Sequence, residues 1–219
     1  MMPDLINALL VVVLALNLFA LGNSRIQSVV HIVAVQGALL GVIMLLMHEH
    51  LTLPVVLSAI AAVGIKGIVI PVIMIRSLRA ADIKREVEPF IGFLPSILLG
   101  AIVTAVALLF APGLSSSGPS SPVGNAVYLV IPASIATVLV GFIILVSRYK
   151  AISQVLGYLV LENGIYIFGM LLIEAIPLVV EMGMLLDLFV AIFVISIITN
   201  HINQAFSSMD TRRLASLKE

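Results

Sequence analysis

Cysteine and tryptophan are both absent from this chain of 219 residues, and charged residues make up only 10% of it. Without cysteine the chain can form no disulfide, no thiolate metal site and no iron–sulfur ligation of its own. Its formal net charge is zero at pH 7, so it lacks the basic excess that nucleic-acid-binding proteins carry. We therefore expect no bound cofactor and no nucleic-acid partner.

Hydrophobic residues, by contrast, make up 62% of the chain, and the mean hydropathy is +1.27. A soluble domain is about half apolar, so this composition indicates a polytopic membrane protein. Seven apolar runs are each close to the roughly 20 residues that a transmembrane helix needs. They are Leu5–Leu21, Gln27–Met47, Leu51–Ile75, Phe90–Ala111, Gly124–Val146, Ala151–Ile173 and Pro177–Thr199. The sequence predicts an all-α fold with about seven transmembrane helices.

The basic residues predict the orientation of the chain. Lys66 is the only Lys or Arg inside an apolar run, and all the others follow the first, third or fifth run or lie in the tail. Cytoplasmic loops carry the excess of Lys and Arg. We therefore expect a multi-pass protein of the cell (inner) membrane, with its N-terminus outside and its C-terminus in the cytoplasm.

Similar segments suggest an internal repeat. Ser24-Arg25 precedes the second run as Ser147-Arg148 precedes the sixth, and Leu53–Gly67 matches Ile176–Val190 at the same offset. Helices one to three would repeat as helices five to seven in parallel orientation, joined by helix four. The predicted divisions are an N-terminal repeat at 1–80, a connecting helix and external loop at 81–123, a C-terminal repeat at 124–203 and a cytoplasmic tail at 204–219.

Three ionisable residues lie deep inside the apolar runs: Lys66, Glu162 and Asp187. A charge at the centre of a bilayer costs roughly 2.5–3.5 kcal/mol on insertion scales, so such residues are functional candidates. Counting along each helix predicts that all three lie in one layer near the middle of the membrane. Glu181 is expected one turn inside the external surface.

Other polar residues are expected to support this layer. Tyr158 and Tyr166 lie four residues on either side of Glu162 and therefore on the same helix face, with Asn163 beside it. The supporting residues are Tyr158, Asn163, Tyr166, His31 and Gln36. Pro71 removes one backbone hydrogen bond and should kink the third helix near Lys66.

Two interpretations of the charged layer remain open. In the first, Lys66 and one acid form a static buried pair that fixes helix packing. In the second, the layer relays protons, because the pair leaves a further mid-membrane acid that would sit neutral and able to take a proton. His48, Glu49 and His50 form a short external cluster, but three adjacent residues are weak evidence for zinc, and we expect no metal site.

The residues also resemble a known family. The pattern Gly157-Tyr158-x-x-x-Glu162-Asn163-Gly164, followed by Pro177-x-x-Val180-Glu181-x-Gly183-x-x-x-Asp187, resembles the hydrogenase-4 component E family. Lys66 with Pro71 and the closing Leu217-Lys218 are similar too. The last three helices further resemble subunit K (chain 4L) of NADH-quinone oxidoreductase. Glu162 matches the first membrane glutamate of that subunit, whereas its second acid lies deeper in the last helix, where Asp187 is the nearest substitute.

The resemblance implies a membrane subunit of a complex I-like, formate hydrogenlyase-type hydrogenase, with no redox site of its own. Its expected partners are antiporter-like subunits, quinone- or hydrogenase-anchor subunits and a cytoplasmic hydrogenase arm, which would hold the nickel–iron and iron–sulfur centres. In that setting Lys66, Glu162, Asp187 and Glu181 would form a proton pathway. The alternative is a structural scaffold between the antiporter-like subunits and the hydrogenase module. A stand-alone secondary transporter is a third, less favoured reading.

Overall fold

The structure, a computed structural model, describes residues 2–47, 53–80, 91–115 and 128–171. These residues form helices throughout and include no strand, which agrees with the predicted all-α fold. The elements are α1 (Met2–Gly22), α2 (Ile26–Met47), α3 (Leu53–Ala61), a π-helical segment (Ala62–Val69), α4 (Ile70–Ala80), α5 (Phe93–Ser115), α6 (Val130–Ser147) and α7 (Ala151–Gly169).

Prolines mark the beginnings of several helices. Pro3, Pro54, Pro95 and Pro132 all lie in the first turn of their helices. Backbone N–H groups in a first turn have no partner within the helix, so a proline costs nothing there. Pro71 is different because it lies within a continuous helical stretch that runs from α3 to α4. Proline has no N–H with which to close an α-helical turn.

The π-helical segment Ala62–Val69 lies directly before Pro71 and carries Lys66. The sequence predicts a local kink at this place, and the structure shows eight residues of wider helix there. A π-helix forms bonds to the fifth residue along and usually occurs as a single-turn bulge at a functional site. The α3, π and α4 segments therefore make one span with an irregular centre.

Five stretches of the described residues are long and apolar enough to cross a membrane. They are Pro3–Gly22, Ile26–Met47, Val55–Arg76, Phe93–Phe110 and Val130–Ser147. Together they identify a membrane protein with several spanning helices. The predicted seventh run at 177–199 and the tail at 204–219 lie outside the described residues, so the C-terminal repeat at 124–203 is described only in part. The count of seven helices, the repeat and its divisions therefore remain predictions.

Helix α7 is not one of these five stretches, but it packs lengthwise against α6. A Cβ at Gly157 would come within 2.6 Å of the Leu145 nitrogen, and one at Gly164 within 2.6 Å of the Val138 nitrogen. Residue numbers fall on α6 as they rise on α7, so the two helices are antiparallel. Small residues allow this close approach of backbones, as they do in other membrane bundles. Helix α7 thus runs through the same depth as the α6 span.

Candidate functional site

Lys66 and Glu162 form a buried ion pair between the π segment and α7. Lys66 Nζ lies 3.2 Å from Glu162 Oε1, and each residue is only 3% exposed. The sequence placed both residues in one layer without deciding which acid faces the lysine. Within the described residues the structure brings Lys66 to Glu162.

The pair lies near the middle of the membrane-spanning part. Lys66 is close to the centre of the span Val55–Arg76. Ser134 Oγ donates to the Gly164 carbonyl oxygen at 3.0 Å. This hydrogen bond and the close contacts of Gly157 and Gly164 with α6 fix the register of α7 on α6. In that register Glu162 lies opposite the central residues of the span Val130–Ser147. Ionisable side chains at such a depth mark functional sites in membrane proteins.

A glycine in α2 lets the lysine reach this position. A Cβ on Gly37 would meet Lys66 Cβ at 2.7 Å and the Lys66 carbonyl carbon at 3.0 Å. Any larger residue would therefore push the π segment away from α2. Further along the same interface, Gly41 packs with the same closeness on Val63 and on the Ala59 carbonyl oxygen. The two glycines hold the lysine-bearing segment tightly against α2.

Tyr166 covers the ammonium group on a second side. Lys66 Nζ lies 4.9 Å from the centroid of the Tyr166 ring, within the range of a cation–π interaction. Tyr158, one turn before Glu162 on the same helix, is partly buried and packs on an apolar cluster that includes Leu156 and Val160. Both tyrosines therefore pack against apolar clusters, and Tyr166 also places its ring over the cation.

Four buried side chains from four helices form a hydrogen-bonded chain in the same region. Asn163 Nδ2 donates to Gln36 Oε1 at 3.4 Å, Gln36 Nε2 to Asn17 Oδ1 at 2.7 Å, and Asn17 Nδ2 to Thr137 Oγ1 at 2.8 Å. Gln36 Nε2 also reaches the Val13 carbonyl oxygen at 3.3 Å. We call Asn163, Gln36, Asn17 and Thr137 the amide chain.

The amide chain lies next to the ion pair along the sequence. Asn163 follows Glu162, and Gln36 precedes Gly37, which packs on Lys66. Its members have different chemistry from the pair. A carboxyl group and an amine can each gain or lose a proton, whereas an amide has a fixed donor and a fixed acceptor. The chain therefore ties α1, α2, α6 and α7 together, while the pair holds the groups able to exchange a proton.

The remaining residues selected from the sequence have other surroundings. His31 is exposed near the start of α2, and its Nδ1 lies 2.7 Å from the carbonyl oxygen of Gln27 in the preceding turn. Pro71 is buried at the end of the π segment. Asp187 and Glu181 lie outside the described residues, as do His48, Glu49 and His50. Among the residues described, no group of three His, Cys, Asp or Glu residues is arranged to hold a metal ion.

Sequence reasoning missed the structural role of Arg148, which it counted only as a loop cation. Arg148 is 3% exposed. Its Nη2 donates to the Leu21 carbonyl oxygen at 2.7 Å, and its guanidinium carbon lies 5.1 Å from the centroid of the Phe93 ring. Burial lowers the pKa of Arg148 from its ordinary value, but an arginine side chain stays charged in a protein even so. The side chain links the end of α6 to the ends of α1 and α5.

Sequence reasoning also did not select Asn17 and Thr137. The signal that identifies them is depth. Thr137, like Gln36, lies close to the middle of an apolar run, where a polar side chain needs a partner from another helix or from its own backbone.

Comparison with known proteins gives two sets of relatives. The chain is 31% identical over 196 residues to the uncharacterized protein Rv0085 of Mycobacterium tuberculosis, covering 89% of this chain and 87% of that protein. It is 24% identical over 153 residues to hydrogenase-4 component E of Escherichia coli strain K12, covering 70% of this chain and 68% of the relative, and the Shigella flexneri protein of that name matches equally. No family profile matches the chain. No solved structure matches it either.

Proposed function

This chain belongs to the family of the Mycobacterium tuberculosis protein Rv0085, and on that premise we propose that it is an integral membrane subunit of a hydrogenase-4-type complex. The more distant similarity to hydrogenase-4 component E supports the complex, and the five apolar spans support the membrane location. We further propose that Lys66 and Glu162 transfer protons within the membrane, coupled to redox chemistry in a cytoplasmic arm of a complex I-like assembly.

One observation carries the proton-transfer proposal: the ion pair of Lys66 and Glu162, 3.2 Å apart and buried at mid-depth. A buried pair of this kind gives little net stability, because the cost of removing two charges from water offsets their attraction. Stability alone is therefore a weak reason for placing it in a bilayer. Proton transfer gives a stronger reason, because a proton passed between the two groups neutralises both charges at once.

The π segment adds a second argument. A π-helix holds its residues in a wider turn than an α-helix and is frequent at functional sites. Lys66 is thus attached to a backbone whose hydrogen bonds span five residues, in place of the four of the flanking α-helices. We propose that small changes in this segment alter the distance between the amine and the carboxylate, and that the redox state of the complex drives them. Asp187 and Glu181 would continue the pathway beyond the described residues.

The experiment uses the intact complex with Glu162→Gln in this chain. We expect the complex to assemble, and hydrogen-linked proton translocation in inverted membrane vesicles to fall at least tenfold. Asp4→Asn is the matched control, since it removes an exposed carboxylate at the start of α1 and should leave translocation unchanged. Unchanged coupling in Glu162→Gln would refute the proton-transfer role.

Membership of the complex needs a separate test. Affinity isolation of the tagged chain in mild detergent, followed by mass spectrometry, should recover hydrogenase subunits and antiporter-like membrane subunits in fixed ratio. A chain recovered alone would argue against the complex and in favour of a stand-alone transporter.

The second candidate function is a scaffold, and the amide chain favours it. Asn17, Gln36, Asn163 and Thr137 bond across helices and carry no proton that they can release at neutral pH. In this reading the chain is a rigid membrane spacer, and the Lys66–Glu162 pair only fixes the π segment against α7. A scaffold predicts that the neutral pair Lys66→Met with Glu162→Gln keeps full proton coupling.

A further inference from the structure

A cleft of about 570 Å³ lies between α1 and α5, where α1 turns into α2. Its walls are apolar and include Leu18, Phe19 and Ile97, while Asn23 and Ser24 line its mouth. From Gly22 the cleft continues along α1 to Ala15, a distance of about 10 Å at 1.5 Å per residue. The cavity thus has one polar end and one apolar end, as a phospholipid does.

The charges around the mouth favour an anionic headgroup. Arg25 is exposed directly after Ser24, and the N-terminus of α2 begins at Ile26. A helix N-terminus attracts phosphate through its free N–H groups and its dipole. Arg148, just after α6, bonds to Leu21 near the end of α1. The antiparallel contacts of α2 with the π segment bring the end of α4 towards the start of α2. The ends of α1, α4 and α6 therefore lie on this same side.

This end of the bundle is basic throughout the part of the chain that the structure describes. Arg25, Arg76, Arg148 and Lys150 all lie here, whereas the two described carboxylates, Asp4 and Glu162, lie at the other end of α1 and at mid-depth. Arg148 is also buried, and it bonds to the carbonyl oxygen of Leu21, the residue before Gly22, which lines the cleft. Its second amino group, Nη1, has no hydrogen-bond partner among the described residues. A buried cation is weakly screened and attracts a nearby anion.

We propose that this cleft binds one anionic phospholipid from the leaflet at the basic end. Its phosphate lies beside Asn23, Ser24 and Arg25, and one acyl chain lies along Phe19 and Ala15. The inference is independent of the proposed function, because it depends only on the cleft and on the charges around it. A rival occupant is the chain's own segment at 81–90, which carries three carboxylates. That segment matches the basic mouth but not the apolar depth of the cleft, where a charge is costly.

The test is native mass spectrometry of the full chain in mild detergent, with phosphatidylglycerol or phosphatidylcholine added. We expect phosphatidylglycerol to be retained at least about fivefold over phosphatidylcholine, the ratio that one arginine contributes at an anionic surface. Arg25→Gln should remove most of this preference. Arg76→Gln, an exposed arginine at the same end, should leave it within about twofold.

A second pair of variants locates the acyl chain. Ala15 lines the cleft, and Ala8 lies two helical turns away on an equally exposed position of α1. Ala15→Phe fills the cleft and should reduce retained phosphatidylglycerol at least about fivefold, whereas Ala8→Phe should not. Equal retention of the two lipids, equal effects of the two arginine variants, or a lipid signal indifferent to Ala15→Phe would each overturn the proposal. An unaffected Ala15→Phe would point to the segment at 81–90 as the occupant.

Discussion

Helix α5 and the centre of the bundle, where the amide chain and the ion pair lie, satisfy their buried polar side chains in different ways. Both contain buried polar side chains at membrane depth. In α5, Thr104 Oγ1 donates to the Gly100 carbonyl oxygen at 2.8 Å within the helix. Ser96 Oγ donates to the carbonyl oxygen of Gly92, the residue just before the helix, at 3.0 Å. In the centre, the amide chain and the ion pair bond from one helix to another.

The difference shows where helix positions are specified. A hydroxyl bonded to its own backbone does not fix the depth or rotation of its helix relative to the neighbouring helices. Much of the outer surface of α5 is exposed leucine, isoleucine and phenylalanine. A side chain bonded to another helix fixes depth and rotation for both. The centre is therefore the part of the molecule whose geometry the sequence specifies most strongly, and it contains the proposed site.

The largest effect is expected at the ion pair itself. Lys66→Met alone leaves a carboxylate buried without its cation, which costs about 3–5 kcal/mol in comparable cases. Adding Glu162→Gln removes the second charge and should recover most of that stability. Thermal unfolding in mild detergent compares both variants with the unmodified chain. If the double variant is as unstable as the single one, the two residues do not act as a pair.

A smaller effect is expected from the contact that brings Lys66 into place. Gly37→Ala puts a methyl group 2.7 Å from Lys66 Cβ, and such overpacking costs about 1–3 kcal/mol. Gly64→Ala is the control within the π segment, because a Cβ there has nothing within 4 Å. Unfolding in detergent should separate the two. Similar stability of both variants would show that α2 and the π segment are not held by this close approach.

Breaking one hydrogen bond in each region compares them directly. Thr137→Val removes the acceptor of Asn17, and we expect a loss of about 1 kcal/mol, within the range of interhelical bonds in membranes. Thr104→Val removes a bond within α5 and should change stability by less than about 0.5 kcal/mol. Equal losses would mean that the interhelical bonds are no more important than the local ones.

The last comparison concerns the aromatic ring over the lysine. Tyr166→Phe keeps the aromatic face 4.9 Å from Lys66 Nζ, so it should be less destabilising than Tyr166→Leu. Tyr166→Leu removes the cation–π interaction and should cost more, about 1–2 kcal/mol. The same unfolding assay distinguishes them. A destabilised Tyr166→Phe would assign the main role to the hydroxyl instead of the ring.

The sequence predicted the parts of this centre that depend on depth. A charged residue stands out in an apolar run, and counting along the helices predicted that Lys66 and Glu162 lie in one layer. Pro71 predicted an irregular helix beside Lys66. The pairing was harder to predict, because it depends on how the helices rotate against each other. Contacts such as that of Gly37 with Lys66 determine this rotation. The sequence shows where a glycine lies in one helix but not which residue of another helix packs against it.

Other features could not be predicted because they depend on tertiary contacts between helices. Pro71 explains a missing hydrogen bond but not why eight residues before it adopt a π-helix. Arg148 follows an apolar run like any loop cation, and only the approach of α1 and α5 buries it. The proton-pathway roles of Asp187 and Glu181 remain predictions, since both residues lie outside the described part of the chain.

Proton translocation by the assembled complex with Lys66→Met and Glu162→Gln together tests the central claim most directly. The double variant carries no buried charge at the pair, so assembly and hydrogen chemistry should persist. If the pair transfers protons, the number of protons translocated per hydrogen formed should fall to near zero in sealed vesicles. A ratio equal to that of the unmodified complex would contradict the account and leave the chain a membrane scaffold.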